Sequence, residues 1–194
     1  MLYRVFPWDR DARVDAPGGA MYVARERQSG GRHDNPDHYG ALSVTRSPLS
    51  AVAERVAVFR GQELDEESFT LAAGRRFALA SIDDARLGPL VDLDDPTELV
   101  ERSLRPSGVA TRDRTVTQPI ALRLFKEGLS GFSWWSTLNA AWPNVTLFAE
   151  RALGSLSLAV PPEPLSSVHP LVVEAAEIVG VRLARPSRRL VRVK

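Results

Sequence analysis

Apolar residues in this chain come in short runs that switch between a two-residue and a 3.6-residue period, and the switches follow no fixed rhythm. The opening LYRVF alternates as a strand does, with Leu2, Arg4 and Phe6 on one side. From Pro7 to Pro36 the chain is polar and glycine-rich and reads as irregular. Tyr39 to Thr45 (YGALSVT) is a second strand. Ser47-Pro48 supplies an N-cap with proline at the first helical position, so a helix starts there and runs to Arg60. Glu63 to Gly74 is acidic and reads as a surface connection. Arg75 to Ile82 and Pro89 to Leu93 are strands, Thr97 to Leu104 is a short helix, and Thr115 to Glu127 is a longer one that stops at Gly128. Pro119 then lies near that helix's start, where proline is tolerated. Phe132 to Ser136 and Val145 to Phe148 are strands around a loop, Val168 to Val179 is a helix, and Val181 to Ala184 is a strand. A parallel sheet would alternate strand and helix regularly, and a solenoid would repeat every 20–50 residues or so. Neither pattern occurs. The chain is expected to be an α+β protein, one compact domain with its core over 1–160 and a C-terminal helix–strand extension over 161–194 packed on it.

The 194 residues are 44% apolar, enough for one core and too many for a disordered chain. The absence of cysteine excludes disulfides, thiolate metal sites and cysteine nucleophiles. Twenty-five basic residues stand against 24 acidic ones, so no overall field draws the chain to nucleic acid or to acidic membranes. The first thirteen residues hold no signal-peptide core and no window is long and apolar enough to span a bilayer, so a cytoplasmic location is expected. All basic residues except Lys126 and Lys194 are arginine, whose fork matches phosphate and carboxylate geometry.

Four places can carry chemistry. Glu54 lies opposite the helix stripe Leu49, Val52, Val56 and Phe59, yet its neighbours one turn away are Ser50, Ala51, Ala57 and Val58. A carboxylate among small residues is either an ordinary surface glutamate or one turned into a pocket. Gly30-Gly31-Arg32 allows close backbone approach beside a guanidinium, or is simply an exposed loop. The same loop carries His33, Asp34, Asp37 and His38, but Pro36 breaks any common face, and no metal is expected. Gly131 to Thr137 sets Trp134 and Trp135 beside hydroxyls, either as a stacking wall or as a core strand with Trp134 inside and Trp135 at the rim. From Arg182 to Lys194 six of thirteen residues are basic, a solvated end or, alternatively, a phosphate-tracking one. Asn144-Val145-Thr146 fits a glycosylation acceptor that a cytoplasmic chain leaves unused. No Ser–His–Asp, GxGxxG or P-loop pattern is present.

Taken in order, Leu2-Tyr3-Arg4-Val5, Gly30-Gly31-Arg32, Tyr39-Gly40-Ala41-Leu42, Ala51-Val52-Ala53-Glu54, Leu90-Val91-Asp92-Leu93, Thr117-Gln118, Gly131 to Ser136 and Leu147-Phe148 resemble a RES domain over about residues 2–150. The resemblance implies an α+β fold similar to ADP-ribosyltransferase toxins and consumption of NAD+ by breakage of its nicotinamide–ribose bond. It also implies neutralisation by an Xre-family antitoxin, with oligomers of the chain alone or with that partner. Residue by residue, Arg4 and Arg32 would hold the NAD+ phosphates, Glu54 would be the catalytic carboxylate, Ser136 the signature serine and Thr115 a site hydroxyl. Tyr39, Trp134 or Trp135 would supply an aromatic wall. The chain departs from the family pattern at His33 and Asp34, and at Ser43, eleven residues before Glu54, where a tyrosine is common. With these departures the alternative is a RES-like module that binds NAD+ and turns over little of it.

Overall fold

A computed structural model describes residues 1–184 of the chain. Among them are strands β1 (Leu2–Trp8), β2 (Ala41–Thr45), β3 (Glu63–Leu64), β4 (Arg76–Asp83), β5 (Leu90–Asp92), β6 (Gly131–Trp135), β7 (Pro143–Phe148), β8 (Ser157–Leu158), β9 (Glu163–Pro164) and β10 (Arg182–Leu183). The helices are α1 (Pro48–Val56), α2 (Pro96–Glu101), α3 (Pro106–Ala110), α4 (Arg114–Lys126), α5 (Ala149–Ala152) and α6 (Pro170–Val179). The α+β expectation holds. The basic segment beyond Ala184 lies outside the described residues.

The main sheet runs β5-β6-β7-β2-β1-β4-β8, with β9 also on β4, and β3 and β10 form a separate parallel pair. Its pairs are antiparallel except β5 with β6. β1 and β4 pair along seven positions, from Leu2 opposite Ile82 to Trp8 opposite Arg76. β1 and β2 meet at a single position, Tyr3 opposite Thr45. Two well-paired halves are therefore joined by a short seam.

The strand period distributes the chain between the faces of this sheet. In β1, Leu2 and Phe6 enter one apolar cluster with Leu42, Val44, Ala78, Ile82, Val145 and Leu147, while Tyr3 and Val5 pack toward α1 and α6 on the other side. A third cluster gathers Tyr39, Phe125, Phe132 and Phe148 around α4. Burying each large apolar side chain contributes about 1.5–3 kcal/mol, so these layers carry most of the folding energy.

α1 is capped as the sequence predicts: the Ser47 hydroxyl oxygen accepts from the Ser50 amide, and Pro48 is the first helical residue. It is covered on two sides, with Ser50, Ala51, Val52, Ala53 and Val56 all buried between the sheet and α6. Its last predicted turn tightens into a 3-10 turn at Ala57–Phe59. The 63–74 segment is not the plain surface connection its acidity implies, because Leu64 and Phe69 anchor it in the core beside α1. Pro119 stands well inside α4, whose N-cap is Asp113, and so removes the helical bond to the Thr115 carbonyl. Gly128, with φ of +90°, ends α4 in the left-handed region that glycine enters freely.

Candidate active-site cleft

At the β1–β2 seam lies a cleft of about 360 Å³. Strands β1 and β2 supply Tyr3 and Ser43, the loop before β2 supplies Arg32, α1 supplies Glu54 and Arg55, and β6 and β7 supply Trp134 and Asn144.

Glu54 is half-buried and held by one of its oxygens. Its Oε1 accepts from Ser136 Oγ at 2.6 Å and from Asn144 Nδ2 at 3.0 Å. Ser136 is fixed in turn, since its Oγ accepts from the Leu138 amide at 3.0 Å and its own amide donates to Trp142 O. Register explains Asn144. In β7 the residues Asn144 and Thr146 alternate with Val145 and Leu147, so the apolar pair faces one core and the polar pair faces the cleft side. The glycosylation-like triplet is thus a buried strand segment.

Arg32 sits on a tightly organised turn. The Gly31 amide donates to Asp34 Oδ2 at 2.6 Å, and a Cβ on Gly31 would stand 2.5 Å from Asp34 Oδ1, so only glycine permits this approach. Gln118 Nε2 donates to Gly31 O at 3.0 Å and Thr117 Oγ1 donates to Arg32 O. Arg32 Nη2 donates to the carbonyls of Val109, at 3.0 Å, and Thr111. Its guanidinium lies 4.5 Å from the Trp134 ring centroid, and its Nε is buried with no protein partner. Burial lowers the Arg32 pKa, neighbouring Arg112 lowers it further, and Glu54 opposes both.

His33 points away from solvent. Its Nδ1 is 2.8 Å from Thr146 Oγ1, which also accepts from Trp134 Nε1 at 3.1 Å, and its ring meets Phe132 and Trp134 edge to face. Burial, reinforced by Arg32, pushes the imidazole pKa down to about 3. The ring is therefore a neutral core group that locks Trp134 beneath Arg32.

Several expected site residues lie elsewhere. Tyr39 is fully buried in the α4 cluster, where its hydroxyl donates to His33 O at 2.7 Å and accepts from Asn35 Nδ2 at 2.7 Å. Burial raises its pKa. It shapes the turn that bears Arg32 and does not line the cleft. Replacing Tyr39 by Phe leaves the His33 carbonyl with only a long 3.4 Å bond from Asn35 Nδ2, so a loss of about 1–3 kcal/mol is expected in denaturant unfolding, with ligand affinity little changed. Trp134 lines the cleft, whereas Trp135 packs against the α4 cluster. Thr115 is exposed at the start of α4 and donates to Asp113 Oδ1 at 2.7 Å, outside the cleft; the hydroxyl that reaches the site loop is Thr117's. Arg4 borders the cleft, but its Nη1 donates to Ala20 O at 2.6 Å and Tyr22 O at 3.1 Å, and burial lowers its pKa to about 10. Ser43 is exposed and lines the cleft. Asn144 and Arg55 went unread as cleft residues. For Asn144 the available signal was its alternation with Thr146 as polar positions within an otherwise apolar strand.

The Glu54 carboxylate held on one edge, a stacked guanidinium and an aromatic wall meet in a cleft at the seam of a mixed sheet, within an α+β domain. The RES domain family model matches residues 1–167, and the chain belongs to that family. The fold is similar to that of a chain in the crystal structure of the M. tuberculosis MbcT–MbcA toxin–antitoxin complex, with a TM-score of 0.62 and 19% identity over 93% of this chain and 88% of that one. No curated protein matches the sequence.

Proposed function

We propose that this protein is the toxin of a toxin–antitoxin pair, that it consumes NAD+ by breaking the nicotinamide–ribose bond, and that an Xre-family antitoxin neutralises it in the cytoplasm. The observation that carries the reading is the Glu54 carboxylate, fixed on Oε1 by Ser136 and Asn144 at the wall of a cleft that also holds Arg32. Membership of the RES domain family and the fold shared with a chain of a toxin–antitoxin complex support it.

The chemistry fits these groups. When the ribose C1′–N bond breaks, its electron pair goes to the ring nitrogen and nicotinamide leaves neutral, so no general acid is required. Positive charge builds on the ribose, as in other oxocarbenium-like transition states. A carboxylate already oriented by two hydrogen bonds stabilises that charge without reorganising. An acceptor oxygen from water, phosphate or a protein side chain then bonds C1′, and its proton passes to solvent water. Arg32 keeps Nη1 free of protein acceptors for the diphosphate, and Trp134 offers a ring surface.

Loss of NAD+ over time, followed with and without inorganic phosphate, tests the reading. Loss only with phosphate identifies phosphorolysis; loss without it identifies hydrolysis or self-modification; no loss from folded protein overturns the reaction. Arg32→Ala is expected to weaken NAD+ binding about tenfold or more, measured by titration calorimetry, because charge-assisted bonds to phosphate are lost. The second reading, a RES-like module that binds NAD+ and turns over little, is favoured by Arg4 being committed to backbone carbonyls.

A further inference from the structure

Arg55 follows Glu54 on α1 and also lines the cleft. Its guanidinium carbon lies 3.8 Å from the Phe77 ring centroid and 5.3 Å from that of Phe59. Contact over an aromatic face uses the π-surface of the group and leaves its N–H edges for another partner. Among the described residues no carboxylate or carbonyl takes those donors, and burial alone lowers the Arg55 pKa. Arg55 is half-buried and its N–H edges are not sealed in the core, so they stay available to an anion that enters the cleft.

The other arginines at the site differ from it. Arg4 donates to the carbonyls of Ala20 and Tyr22, and Arg32 gives its Nη2 to those of Val109 and Thr111, whereas Arg55 donates to none among the described residues. Arg112 influences Arg32 but does not line the cleft. Arg32 stacks on Trp134 of β6 and Arg55 on Phe77 of β4, on opposite sides of the β1–β2 seam. The cleft thus carries a second cationic wall.

We infer that Arg55 is an anion-binding residue of the cleft and takes a phosphoryl oxyanion, carried either by the nucleotide or by free phosphate. The inference rests on the cleft being the nucleotide site, but it is independent of turnover. The test is titration calorimetry of the full chain with ADP, inorganic phosphate and adenosine, for the parent, Arg55→Met and Arg55→Lys. Methionine keeps an apolar stem over Phe77 and removes the charge. ADP affinity is expected to fall about tenfold in Arg55→Met, with adenosine unchanged and partial recovery in Arg55→Lys. A loss confined to inorganic phosphate supports the inference and identifies the free anion as the occupant. Unchanged affinity for both anions overturns it, and so does an equal loss for adenosine, which would make Arg55 a shaping residue. If Arg55→Met does not fold, Arg55→Gln decides: it removes the charge and keeps a polar chain, so undiminished anion binding overturns the inference. Binding of ADP through Arg55 without NAD+ loss leaves the inference standing and sinks the reaction; NAD+ loss with no dependence on Arg55 does the reverse.

Discussion

Glu54→Gln is expected to lower NAD+ consumption by at least about a hundredfold while the protein stays folded. Glutamine keeps the volume of the side chain and an oxygen that can accept from Ser136 Oγ and Asn144 Nδ2, so the local packing between α1, β6 and β7 survives. What disappears is the negative charge, and a neutral amide does little for a ribose that is becoming cationic. The comparison needs NAD+ loss rates for both proteins and thermal unfolding to show equal stability. A glutamine variant that turns over NAD+ within about twofold of the parent would remove Glu54 from the proposed mechanism.

Acid is expected to destabilise this protein through His33. Its pKa is about 3 when folded, against 6.5 for an ordinary imidazole. Between those values the unfolded chain takes up a proton that the folded chain refuses, so stability falls as the pH falls. The loss approaches about 1.4 kcal/mol per pH unit within that window and reaches a few kcal/mol at its bottom. Above pH 6.5 both states are neutral at this site and the effect vanishes. Denaturant unfolding at pH 7 and pH 4 measures it. His33→Gln, which can still bond Thr146 but does not titrate, should show a shallower decline. A decline as steep as the parent's would assign the acid sensitivity to other groups.

How much of this was legible in the sequence varies with the physics that places each residue. Glu54 was legible because its surroundings were anomalous: a charged side chain amid serine and alanine reports a helix covered on both sides, and α1 is so covered. Alternation puts Arg4 on the Leu2 and Phe6 side of β1, opposite the side that packs toward α1. That the Ala20–Tyr22 segment would return to occupy its donors depends on a long irregular loop with no periodicity to read. Tyr39 was misplaced because an aromatic residue in a strand looks the same whether it lines a pocket or a core; only its contacts with Phe125 and Phe148 decide. Trp134 and Trp135 could not be ranked until pairing set Trp134 opposite Asn144 on the cleft side. Leu64 and Phe69 were hidden by the acidic residues around them, since composition averages away two anchors.

The family match ends at residue 167, yet the helix bearing Glu54 and Arg55 leans on α6, through Val172, Ala175, Ala176 and Val179. The chemistry of the cleft is thereby made hostage to a helix that contributes no atom to it. Close-packed cores transmit displacement with little slack, so a change of volume at Val172, Ala175, Ala176 or Val179 would shift α1 and with it the place of Glu54 and Arg55 in the cleft. For anyone tracing how such domains diverge, a stretch beyond the family match is part of the scaffold that sets the cleft's geometry.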